Sequence, residues 1–347
     1  MKVQVTGRSH THVFEAEPGE KILDAGLRSG LVLPYECGSG TCGTCRARLV
    51  SGEIEDAWPD APGRRTLKAE KTEFLMCQCE ARADCALEVA SRFGPAPDDA
   101  CLPGHLSAVV STYTPLTHDV VQVDLDLERP IRFEAGQFVL LGVDGIAGRR
   151  AYSMVNYDRP AERLRLVVKK KPGGGVSEWL FAGSVVGARL AVFGPMGAAT
   201  FTPDVDRHLL CLAGGSGIAG LMSILARAGA ERHFDRHRGT VIFGVRTPAD
   251  IFFAKELAAF RAPCPDALEI VLALSDVAVP DDLPARHPGL VFDTGFVHDV
   301  AQRRMTGKYA GVRAYVAGPP PMVDASIRLL LKEARLSPAD IRYDKFS

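Results

Sequence analysis

Three cysteines, Cys37, Cys42 and Cys45, stand in C-x4-C-x2-C spacing, and a fourth, Cys77, follows about thirty residues on. No other stretch restricts the fold so strongly. This is the plant-type spacing for a 2Fe–2S cluster held by four thiolates. The intervening residues are almost all glycine or small hydroxyls: Gly38, Ser39, Gly40, Thr41, Gly43 and Thr44. A loop wrapped around a cluster needs positive φ and bare N–H groups aimed at sulfur, and glycine supplies both. Hydrogen bonds to sulfur also tune reduction potential, a role open to the three hydroxyls. Two other uses of cysteine compete. A disulfide framework suits a short secreted chain, whereas this one has 347 residues, nine cysteines and no apolar leader. A zinc ribbon needs paired C-x2-C knuckles, and here Cys77-Gln78-Cys79 has a single spacer.

The length allows two or three domains. A formal net charge of -1 offers no field to attract nucleic acid. No apolar run approaches a bilayer span. Cys79, Cys85, Cys101, Cys211 and Cys264 are scattered, as free thiols are in a reducing compartment, so a cytoplasmic protein is expected.

The hydrophobic pattern changes twice along the chain. Residues 1–93 are β-rich: a hairpin from Val3, Val5 and residues 11–14 with Gly7 and Ser9 in the turn, a helix over 20–28 closed by Gly30, and strands at 46–50 and 87–89. Residues 94–103 begin Gly-Pro-Ala-Pro-Asp-Asp and read as linker and hinge. Residues 104–204 alternate apolar and polar at 106–111 and 120–127, with strands at 133–141 and 164–169. One helix begins near Glu178, and the whole suggests a small antiparallel barrel. Residues 205–347 alternate strand and helix, with strands at 209–213, 240–245, 268–274 and 313–317 and a helix over 322–335. That rhythm predicts a parallel sheet covered on both faces.

Gly215-x-Gly217-x-x-Gly220 lies between strand and helix, where a dinucleotide fingerprint belongs. The second strand, however, ends Gly244-Val245-Arg246 without the ribose-binding acid of a standard Rossmann domain. Arg150-Ala151-Tyr152-Ser153 and the loop Gly173-Gly174-Gly175-Val176-Ser177 make sense together. A ring can stack on a flat heterocycle while an arginine and loop amides hold phosphates. Either motif alone reads as an ordinary strand or loop.

Taken in order with Ala317-Gly318-Pro319-Pro320-Pro321-Met322, these motifs resemble the iron–sulfur flavoprotein reductase component of bacterial multicomponent aromatic-ring oxygenases. The resemblance implies a multidomain α+β and α/β chain. It would comprise a β-grasp ferredoxin domain, an antiparallel β-barrel FAD domain and an α/β nicotinamide domain. It implies hydride transfer from NADH to FAD, then single electrons through the 2Fe–2S cluster to a Rieske or di-iron oxygenase or a small ferredoxin. It assigns Cys37, Cys42, Cys45 and Cys77 to the cluster. It assigns Arg150, Ala151, Tyr152, Ser153, Val168, Lys169, Gly174, Gly175, Val176 and Ser177 to the flavin. Gly214, Gly215, Ser216, Gly217, Ser275, Asp276, Gly318 and Pro319 fall to the nicotinamide dinucleotide. Tyr152, Ser153 and a C-terminal aromatic, Phe346, would stand nearest the reacting rings. Many relatives carry cysteine where this chain has Ala317, so a thiol role is absent here. NADP-using relatives place Ser-Arg where this chain has Ser275-Asp276, and an aspartate repels a 2′-phosphate, which favours NADH; Arg246 is the counter-argument. No acid–base residue is required. A monomeric reductase is expected, with Glu36, Arg46 and Arg48 as candidates for partner docking. A reductase for a deoxysugar or other non-aromatic pathway, a redox sensor without turnover and an FMN protein are the competing readings.

Overall fold

In the computed structural model, which describes residues 1–8, 10–202 and 206–345, the first module is built on burial alternating at every second residue. Val3 and Val5 are fully buried in the strand Lys2–Thr6, which pairs antiparallel with Thr11–Glu15 and parallel with Cys85–Glu88. Arg46–Ser51 and Glu73–Leu75 complete the sheet, the mixed ferredoxin-like arrangement expected of a β-grasp. Gly7 N–H closes the hairpin onto the His10 carbonyl at 2.9 Å, while Ser9 lies outside the described residues. The helix runs Ile22–Arg28, two residues shorter than expected at its start because Lys21 is extended (φ -67°, ψ 140°). All but one of its seven residues are buried, so packing rather than propensity holds so short a helix.

The second module is an antiparallel sheet of six strands: Arg150–Ser153, Phe138–Gly142, Arg189–Met196, Gly104–Pro115, Val120–Ile131 and Ala161–Lys169 in spatial order. A single bridge, Met154 to Leu166, joins the two outer strands and curls the sheet into a barrel. The strand expected from residue 133 begins only at Phe138. A turn closed by Gln137 N–H on the Glu134 carbonyl, with Gly136 at φ 101°, occupies the intervening residues. The helix expected from Glu178 starts already at Gly175 and runs to Phe181, so the glycine loop feeds straight into it. The segment after residue 94 does not leave the first module at once. Val32 N–H bonds the Gly94 carbonyl at 2.8 Å and Ala96 N–H bonds the Gly30 carbonyl at 2.7 Å.

The third module is a parallel sheet ordered Val291–Thr294, Leu268–Leu274, Gly239–Val245, His208–Gly214, Val312–Gly318 and Ile341–Lys345. Two strands escaped sequence reading, the half-exposed edges Val291–Thr294 and Ile341–Lys345, which carry too little apolar pattern to register. The helix expected over 322–335 spans Pro320–Lys332, its prolines set in the first turn where no N–H is missed. Among the described residues no helix is long and apolar enough to cross a membrane.

Candidate functional site at the junction of three modules

Cys37, Cys45 and Cys77 are buried and Cys42 is half-exposed; all nine cysteines are free. Gly38, Gly40 and Gly43 sit at φ 62°, 82° and 81°, so the loop uses glycine where positive φ is needed. The result is a ring of donors around sulfur. Ser39 N–H points at Cys37 Sγ and Thr44 N–H at Cys42 Sγ, both at 3.4 Å, and Gln78 Nε2 lies 3.2 Å from Cys77 Sγ. Cys45 and Cys77 sulfurs are 3.1 Å apart. The sulfurs set one another's ionisation: Cys42 draws the Cys37 thiol down to about 4, while Cys42 and Cys45 are pushed up by Cys37 and Cys77 in turn. Thiols that ionise only at each other's expense are a donor set that positive iron between them would neutralise. The residues therefore fit a 2Fe–2S cluster. Burial pushes Cys79, outside this set, up to about 12.

Behind the loop lies a cavity of about 520 Å³, in the range of small-molecule sites. Cys37, Ser39 and Thr41 form part of its wall, so the cluster loop presents one face to the cavity and Cys42 toward solvent. Arg150, Ala151, Tyr152 and Ser153 line the next stretch, followed by Lys169, Gly174 and Ser177. Burial pushes the Tyr152 phenol up and the Arg150 guanidinium down. Among the described residues Arg150 has no carboxylate partner, which leaves its charge to be met by a bound anion. Such a wall, with a half-buried aromatic beside an unpaired guanidinium, fits a flavin nucleotide. Ser177 braces its loop: Oγ lies 3.0 Å from the Gly174 carbonyl and accepts from Lys171 N–H at 3.1 Å.

The third wall is Gly214, Gly215, Ser216, Ser275, Gly318 and Pro319. Here the glycines are explained by close approach. A Cβ on Gly217 would stand 2.3 Å from the Ala317 carbonyl oxygen, and one on Gly220 would meet Ser153 Cβ at 3.4 Å. The helix Ile218–Ala230 thus abuts the flavin strand directly. Ser223 Oγ accepts from Gly136 N–H at 2.9 Å, and buried Arg227 bonds Glu134 and, at 2.8 Å, the Phe201 carbonyl, fixing the third module on the second.

Not every residue singled out from sequence faces this cavity. Val168 is 1 % exposed in the barrel core, because Val167 and Lys169 take the cavity face of their strand, and Val176 is 0 % exposed on the core side of the helix Gly175–Phe181. Gly175, Gly217 and Asp276 do not line it either, although Asp276 accepts from Ser275 Oγ at 2.6 Å. Phe346 lies outside the described residues. The neighbouring C-terminal strand does reach the site: Lys345 lines the cavity, and burial followed by the charge of Glu36 pushes the Asp344 carboxyl up to about 7. Sequence reading missed Asp119, Phe252 and Phe296, which line the cavity without belonging to any motif. Of the docking candidates, Arg48 is paired with Glu88 and Arg46 bonds the Thr66 carbonyl at 2.8 Å.

Comparisons with known proteins follow the same three-part division. Residues 4–82 match the 2Fe-2S iron-sulfur cluster binding domain, 107–201 the oxidoreductase FAD-binding domain and 211–327 the oxidoreductase NAD-binding domain. The chain is 36% identical over 331 residues to the ferredoxin–NAD(P)(+) reductase CarAd of Metapseudomonas resinovorans, covering 94% of this chain and 95% of that one. It is 33% identical over 337 residues to the ferredoxin–NAD(+) reductase component of the alkene monooxygenase system of Xanthobacter autotrophicus, covering 96% and 97%. The solved ferredoxin reductase in carbazole 1,9a-dioxygenase superposes with a TM-score of 0.82 at 32% identity, over 100% of this chain and 99% of that one. The protein belongs to the iron–sulfur flavoprotein reductases of bacterial multicomponent oxygenase systems, which carry electrons from a reduced nicotinamide dinucleotide through FAD and a 2Fe–2S cluster to an oxygenase.

Proposed function

We propose that the protein oxidises NADH in preference to NADPH and supplies single electrons to an aromatic-ring oxygenase, directly or through a small ferredoxin. The observation that carries this reading is the one cavity whose wall is shared by the cluster loop, the Arg150–Ser153 strand and the Gly214–Ser216 turn. When bound, a flavin accepts the nicotinamide hydride and yields its electrons singly, as a one-electron iron–sulfur centre requires. The chain's own part is to hold flat rings in register and keep water away. Tyr152 offers a stacking face, Ser153 a hydroxyl beside it, and Arg150 with the Gly174 loop a seat for phosphates. Phe252, Val245 and Met322 supply apolar wall on the nicotinamide side. Cys37, Cys42, Cys45 and Cys77 would hold the cluster, with half-exposed Cys42 nearest a partner.

The preference for NADH rests on charge. Arg246 lines the cavity, but its guanidinium already lies 3.7 Å from Asp119 and 3.5 Å from Asp250. A 2′-phosphate would find that cation occupied and Asp276 beside Ser275. We expect kcat/KM for NADH to exceed that for NADPH at least tenfold, about 1.4 kcal/mol; equal values would overturn the preference. The aromatic assignment is supported by the similarity to the carbazole 1,9a-dioxygenase reductase, whereas the alkene monooxygenase relative favours an oxygenase acting on a non-aromatic hydrocarbon. Reconstitution with each class of oxygenase separates the two. The electron path is tested by Cys42→Ser, which should abolish reduction of the oxygenase and leave NADH-dependent ferricyanide reduction largely intact. Loss of both with FAD still bound would refute that order.

A further inference from the structure

Arg149 and Arg150 are consecutive residues at the edge of the flavin module, and each is held by a side chain of the cluster module. Arg149 makes a two-pronged ion pair with Asp24, at 2.6 and 2.9 Å. Arg150 lies over the Trp58 ring, its guanidinium carbon 4.6 Å from the indole centroid. Trp58 is anchored by its own loop: its N–H bonds Asp56 Oδ1 at 3.0 Å and its carbonyl accepts from Ala61 N–H at 3.1 Å. Gly148 makes the contact possible, since a Cβ there would stand 2.3 Å from Trp58 Cε3. The only other bond of the Arg150 guanidinium among the described residues is to the Arg149 carbonyl, at 2.9 Å.

We infer that Trp58 is a positioning residue for the flavin site: the cluster module lends an indole face that fixes the Arg150 guanidinium in the orientation that receives the flavin phosphate. The inference rests on the reading of Arg150 as that phosphate's ligand. A long side chain with one hydrogen bond and no carboxylate would sample many rotamers. Stacking removes that freedom before the ligand arrives, without consuming the remaining N–H donors, and pre-organisation of this kind appears as affinity. A carboxylate in Trp58's place would hold the arginine as firmly but compete with the phosphate for its charge; an aromatic ring does not. Affinity for FAD thereby depends on a neighbouring module being docked.

The test is FAD dissociation from the full-length holoprotein, followed as flavin fluorescence through a dilution series, with the visible cluster spectrum confirming that the first module is intact. Trp58→Leu should weaken FAD about tenfold, and Trp58→Phe, which keeps a ring face, should recover most of that loss. Arg150→Gln should weaken FAD at least as much as Trp58→Leu, and adding Trp58→Leu to it should change nothing further, because the indole acts only through the arginine. A Trp58→Leu effect that persists undiminished on the Arg150→Gln background, or wild-type affinity in Trp58→Leu, overturns the inference. Unchanged affinity in Arg150→Gln alone refutes the phosphate reading itself, and with it the role given to Trp58.

Discussion

Replacing Asp24 by asparagine should undock the first module from the second. Asp24 is 0 % exposed and Arg149 18 %, and together they form the bidentate pair that crosses the interface. The pair sits beside a shared apolar contact in which Phe138, Leu140, Phe193 and Met196 of the barrel join the core of the first module. Asparagine keeps the shape but strands a largely buried guanidinium. Glu20 cannot stand in, because it is committed to Arg28 at 2.8 Å and to His105 at 3.2 Å. Breaking one side of a buried pair costs about 3–5 kcal/mol, and at about 2–4 °C per kcal/mol for a unit of this size the melting point should fall by the order of 10 °C. Removing both charges should cost far less, so Asp24→Leu with Arg149→Met should recover most of the loss. The assay is the apparent melting temperature of full-length holoprotein at one scan rate, with cluster absorbance and flavin release read separately, since three modules need not unfold together. Melting within about 2 °C of wild type for Asp24→Asn would show that the pair is not the clamp, on the same scale. A double variant as unstable as the single one would show that stranded charge is not the cause.

Two further perturbations probe the third module. Gly217→Ala places a methyl group 2.3 Å from the Ala317 carbonyl oxygen, and the atoms it meets are all backbone, so the turn must shift. We expect KM for NADH and NADPH to rise together by roughly tenfold, or about 1.4 kcal/mol, with flavin and cluster spectra unchanged; a wild-type KM would refute the packing argument. The second concerns pH. Burial, reinforced by His237, pushes His233 down from 6.5 to about 4. The folded state therefore holds this ring neutral where the unfolded chain binds a proton. Its contribution to stability is present above pH 6.5 and is lost as pH falls through that window toward 4. Denaturant unfolding of His233→Gln should show a shallower decline of stability over that range than wild type, and parallel profiles would dismiss the assignment.

What could be read from sequence and what could not divide along a physical line. Three of the four cysteines in fixed spacing, a glycine turn between strand and helix, and an Arg-x-Tyr-Ser strand are local arrangements whose chemistry is complete within a dozen residues. Local backbone rules therefore suffice to recognise them. The core strands were equally legible, because Val3 and Val5 or Leu209–Ala213 bury their apolar groups in a pattern the chain repeats. The helix start at Gly175 and the late strand at Phe138 were not, since both depend on where a glycine takes up the change of direction. The edge strand Ile341–Lys345 was invisible for a different reason: it gains its partner, Val312–Gly318, from a strand almost thirty residues away and has little apolar signature of its own. Contacts between modules were the least legible. Nothing in Ile22–Arg28 marks Asp24 as the partner of Arg149, and Trp58 in a loop reads as a lone aromatic until Arg150 is placed 4.6 Å from its ring. Such residues have no periodicity and no motif, because the surface they serve belongs to another part of the chain. An aspartate fully buried on a seven-residue helix is nevertheless a local inconsistency, and its resolution lay at the junction where electrons must pass.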